Sequence, residues 1–108
     1  MCDGLFRRRV LVLYNTPGDP AAFDAYYHGT HVPIAKTLPG LRGMNLSVAP
    51  PVALQGTAPY LVAELLFDSM ADLQGALRSE EGKATAGDLA NFAQAGVTIL
   101  LVETSPTM

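Results

Sequence analysis

The order in which the apolar residues change their spacing constrains this chain's fold more than any single residue does. Residues 7–15, RRRVLVLYN, alternate with a period of two, so Val10, Val12 and Tyr14 share one face and Leu11, Leu13 and Asn15 the other. Residues 21–38 change to helical spacing, with Phe23, Tyr27, Ile34 and Leu38 in one stripe. Residues 41–48 and 60–67 return to alternation, residues 69–92 are helical again, and residues 96–103 alternate once more. Strand, helix, strand, strand, helix, strand is the order of a ferredoxin-like α+β domain, βαββαβ. Its four strands form one antiparallel sheet with both helices on one face. The 108 residues suffice for a single such domain, spanning 1–108.

Local signals punctuate this order. Asp19 and Pro20 suit the start of the first helix. Inside it, Gly29 and Pro33 are both poor helix formers, and the Pro33 ring conflicts with the carbonyl of Gly29. The helix is therefore expected to kink near residues 29–33 or to form in two pieces, and Pro39-Gly40 ends it. Ser69-Met-Ala-Asp72 has the form of a helix start. Gly82 and Gly87 set off residues 80–92 as a separate short helix. Residues 49–59, rich in Pro, Ala and Gly, form a loop long enough to act as a flap.

A sheet with helices on one side leaves its other face bare. Here that face would carry Tyr60, Val62, Leu66 and residues of the outer strands, an apolar patch too large to leave in water. Only 16% of the residues are charged, and a second copy of the chain is the simplest cover. The expected assembly is a homodimer whose sheets face each other and enclose a barrel, with an interior lined partly by Asn45, Ser47, Tyr60 and Glu64. The net charge of −3, with its one basic run at Arg7–Arg9, argues against a nucleic-acid partner. No run is long and apolar enough to cross a membrane, and no leader pattern precedes the arginines. The single cysteine, Cys2, cannot form an internal disulfide, and we read it as an inert thiol in a cytoplasmic protein.

The stretch from residue 12, opening VLYNTPGDP, to residue 103, closing ANFAQAGVTILLVE, resembles the EthD family, named for ethyl tert-butyl ether degradation. The most specific parts are Tyr26-Tyr27 followed by His31-x-Pro33, the LPGLRG turn, and Asp88-x-x-Asn91-Phe92. The resemblance implies a ferredoxin-like homodimer of the dimeric α+β barrel group with a small-molecule pocket. It also implies an association with oxygenase systems and catabolic or secondary metabolism, and the loose description oxidoreductase. It places the family's histidine at His31 and assigns no role to His28.

His31 and His28 are the only histidines, and histidine is the side chain best suited to proton transfer near neutral pH. His31 is the first catalytic candidate, as general acid or base. Glu64 is the second, because a lone carboxylate in an apolar strand is costly to bury unpaired. A His31–Glu64 pair would suit proton transfer on a lactone or enol. Tyr14, Tyr26, Asn45, Ser47 and Tyr60 are candidate substrate contacts, whereas Tyr27, on the core stripe, reads as structural. Asp24, His28 and His31 have spacings compatible with metal ligation but no evident further ligand, so no metal is expected. No glycine-rich phosphate loop is present, so no cofactor is expected. The chain reads as a binder of a small, largely apolar organic molecule. It would perform cofactor-free oxidoreductase or isomerase-type chemistry, or serve as a non-catalytic accessory to an oxygenase system.

Overall fold

The computed structural model describes residues 7–107. Cys2 lies outside them. The strands are β1 (Arg7–Tyr14), β2 (Gly43–Leu46), β3 (Leu61–Phe67) and β4 (Val97–Thr104). They form one antiparallel sheet in the order β2-β3-β1-β4, the ferredoxin-like arrangement. The helices are α1 (Pro20–Tyr26), α2 (Val32–Ala35), α3 (Met70–Arg78) and α4 (Glu80–Asp88). No helix among the described residues is long and apolar enough to cross a membrane.

The alternation read from sequence decides which way each strand faces. Val10, Val12 and Tyr14 of β1 and Leu61, Ala63, Leu65 and Phe67 of β3 are buried beneath the helices. Phe23, Tyr27, Leu38, Leu73, Ala76 and Phe92 close this core from above. Leu11, Leu13, Val62, Leu66 and Leu100 point to the opposite face, which no helix covers. The strand expected over 41–48 is shorter than its alternation, and Val48 is fully exposed in the loop that follows.

The conflict between Gly29 and Pro33 is resolved by widening the helix. Between α1 and α2, residues Tyr27–His31 form a π-helical turn, in which the Val32 amide bonds to the Tyr27 carbonyl. Such turns insert one residue into a helix and often mark functional sites. Pro33 then sits in the first turn of α2, where a missing amide hydrogen costs nothing. The extra residue rotates everything downstream. His31 and Ala35 come to the buried face, and Ile34, placed on the inner stripe by regular helical spacing, moves to a half-buried position.

The caps follow the sequence signals. The Asp19 carboxylate accepts from the Ala22 amide at 3.1 Å, and the Ser69 hydroxyl accepts from the Asp72 amide at 3.0 Å. Ser79 alone joins α3 to α4, ending one helix and capping the next.

Candidate active site between sheet and helices

The π turn delivers His31 to the wall of a cavity between the sheet and the helix layer. The ring is 3% exposed, next to the rings of Tyr27 and Phe92 at centroid distances of 5.5 and 4.7 Å. Its Nδ1 lies 2.9 Å from Oδ2 of Asp88, a carboxylate itself only 7% exposed. The other carboxylate oxygen, Oδ1, accepts from the Tyr26 hydroxyl at 2.6 Å and from the Asn91 amide at 3.0 Å. Burial by itself would push the Asp88 carboxyl up. The hydrogen bonds from Tyr26, Asn91 and His31, with the attraction of a His31 cation, outweigh it and hold the carboxyl below its ordinary range. Asp88 is thus fixed as an anion. A neutral imidazole beside it carries its proton on Nδ1, leaving Nε2 as the basic nitrogen.

The cavity measures about 70 Å³. By the rule that one water needs roughly 10–15 Å³ of such space, it holds about five to seven heavy atoms. Val10, Val12, Leu38, Met44 and Leu65 make most of the wall apolar, and Tyr14, Tyr27, His31 and Thr85, whose hydroxyl donates to the Glu81 carbonyl, supply the polar side chains. Leu77 and Ile99 also line it and are 37% and 48% exposed, which places the opening beside β4. The hydroxyl of Tyr27 is pushed up to about 12 by burial. That of Tyr14 is raised further, by burial and then by the neighbouring Tyr27. Both stay protonated at neutral pH.

The structure gathers some of the sequence candidates and separates others. Tyr14 and His31 share the cavity. Tyr26 lies behind Asp88, where it holds the carboxylate and does not line the cavity. The expected pairing of His31 with Glu64 does not occur, because Glu64 points to the helix-free face of β3. There it binds Arg9 at 3.0 Å and Asn45 at 3.3 Å. Asn45 and Ser47 lie with it in a shallow groove on that face. Tyr60 leaves the face on which its alternation placed it. Its ring packs edge-on against Phe23 of α1 and its hydroxyl donates to Asp24 at 3.0 Å, since it precedes β3 and escapes the pleat. Asp24, His28 and His31 do not converge: His28 is exposed, and no group of three or more metal-ligating side chains occurs among the described residues.

Two residues of the site were not singled out by sequence reasoning. Asp88 belonged to a recognised motif, but nothing in the sequence said that residues 57 positions apart would meet. Tyr27 was read as core. It is core, and it also borders the cavity.

Residues 15–96 match the EthD domain. The 11.0 kDa protein of the thcB-thcC intergenic region of Rhodococcus erythropolis is 40% identical over 97 residues, 88% of this chain and 92% of that one. An EthD family protein of Bacillus halodurans superposes with a TM-score of 0.82 at 34% identity, covering 91% of this chain and 98% of its own. A dimeric ferredoxin-like protein of Jannaschia superposes with a TM-score of 0.63 at 16% identity, covering 91% of this chain and 99% of its own; at that identity the likeness speaks for the fold alone. On the domain match and the two closer relatives, this chain belongs to the EthD family.

Proposed function

We propose that this chain is a small enzyme of catabolic or secondary metabolism that moves a proton on a compact, largely apolar organic molecule held in the cavity. One observation carries this reading: His31, paired with the buried Asp88 behind it, stands in the wall of a largely apolar hollow. An imidazole oriented by a fixed carboxylate is suited to general acid–base work. It serves an isomerisation without further groups, and it can generate the carbanion on which a cofactor-free oxidation by oxygen would begin. We place the protein in the cytoplasm, where an accessory role beside an oxygenase would also have its setting. Glu64, tied to Arg9, is read as a lining group between subunits and not as an acid or base.

The reading is tested with a panel of small phenols, lactones and cyclic ketones, followed by melting temperature and by turnover. His31→Ala is expected to abolish turnover while some compounds still raise the melting temperature. If His31→Ala weakens binding and no compound is ever turned over, the chain is a carrier and the enzymatic reading fails.

The assembly belongs to the same proposal. Two copies would stack their helix-free sheet faces and cover Leu11, Leu13 and Leu100. Leu100→Glu places a charge on that face, and sedimentation is expected to show a monomer where the native chain sediments as a dimer. A native chain that sediments as a monomer refutes the assembly.

A further inference from the structure

Tyr14 and Tyr27 present a counting problem that the His31–Asp88 pair does not solve. Each hydroxyl carries one proton to donate. Among the described residues, each has only the other as hydrogen-bond partner. At most one bond joins them and uses one proton, so an O–H is left without an acceptor among the described residues. Both residues line the cavity, and the Tyr27 ring lies at 29° to the ring of His31 along the same wall.

We infer that the cavity takes a small carbonyl compound, with the spare O–H of the Tyr14–Tyr27 pair donating to its carbonyl oxygen and Nε2 of His31 facing the carbon next to it. This rests on the proposed function and names its substrate class. A donor without an acceptor in an apolar cavity selects a ligand that brings one oxygen and little other polarity. The spare hydroxyl, neutral at this pH, is suited to hold an oxygen on which negative charge develops. The step balances without an oxidant. A C–H bond next to the carbonyl breaks and its proton goes to Nε2. The electron pair forms a carbon–carbon double bond, and the carbonyl π pair moves to the oxygen, now an enolate held by the hydroxyl. Return of the proton to the same or a conjugated carbon restores the carbonyl.

The test compares cyclopentanone with methylenecyclopentane, which has the same shape and six heavy atoms but no oxygen. The native protein is expected to bind cyclopentanone about tenfold more tightly, the worth of one hydrogen bond. The carbonyl stretch of the bound ketone should fall to lower wavenumber, and it should fall equally in His31→Ala. Tyr14→Phe and Tyr27→Phe each leave one hydroxyl, so each keeps the preference. The double variant removes both partners of a buried pair, which is nearly neutral for stability, and is expected to lose the preference and the shift together. Equal binding of the two compounds to the native protein overturns the carbonyl assignment and leaves the cavity reading standing. Binding of neither overturns both. Should the double variant not fold, His31→Ala decides: a shifted stretch there supports the tyrosine pair, and an unshifted one refutes it.

Discussion

Gly82→Ala is expected to destabilise the protein by about 2–3 kcal/mol and to lower its melting temperature by roughly 10 °C, although alanine is the better helix former. The two effects oppose each other. Replacing glycine by alanine inside a helix favours the folded state by about 1 kcal/mol. At Gly82, however, a methyl group would run into the Ala76 carbonyl oxygen and stand 2.6 Å from that of Leu77. Neither oxygen can move aside. They belong to the last turn of α3, and Ser79 alone turns the chain from there into α4. Its amide bonds back to the Ala76 carbonyl at 3.2 Å, and its hydroxyl caps the Gly82 amide at 3.0 Å. Any shift that relieves the clash loosens both ends of this corner. Gly87, in the same helix, is the control. A methyl group there meets nothing within 4 Å, so Gly87→Ala is expected to stabilise by about 0.5–1 kcal/mol. Urea titration of the two variants should give shifts of opposite sign. If both stabilise, the corner is less tight than the backbone indicates.

These two glycines illustrate what a sequence does and does not disclose. Both read as interruptions of a helical pattern, and periodicity has no means of telling one required by close packing from one that is not. The strands were legible because a period of two leaves little freedom. The buried faces of β1 and β3 carry the residues that alternation assigned to one side. Tyr60 escaped the rule only because it stands one residue before β3 begins. The long first helix was half legible. Gly29 and Pro33 announced a fault, but a pattern of 3.6 residues per turn does not show that the fault adds a residue and turns His31 inward. The candidate site was legible at His31, by motif, and illegible at its partner. Glu64 had the right chemistry on the wrong side of the sheet, and Asp88 lay at the far end of the chain. Contacts of that separation follow from the fold, not from spacing.

Asp88→Ala is expected to cost about 3–5 kcal/mol at neutral pH, the usual penalty for stripping the partner from a buried polar cluster. The loss is large because one carboxylate satisfies three groups: the Tyr26 hydroxyl, the Asn91 amide and Nδ1 of His31. Without it, the hydroxyl and the imidazole, both turned toward the core, are left without an acceptor. Asp88→Asn keeps the shape but exchanges an accepting oxygen for a donating nitrogen, so it separates charge from volume. Its pH dependence follows from the direction in which the carboxyl is held. The folded state keeps Asp88 below the ordinary value of 3.8, so it binds this proton less readily than the unfolded chain does. The stabilisation is therefore complete above the unfolded value and disappears as the pH falls through the lower, folded one. The gap in unfolding free energy between native protein and Asp88→Asn should shrink as the pH falls below about 4. A gap that stays level to pH 3 would mean that Asp88 contributes shape alone. In that event His31 would have no fixed anion to set its tautomer, and the acid–base reading would lose the residue that positions its base.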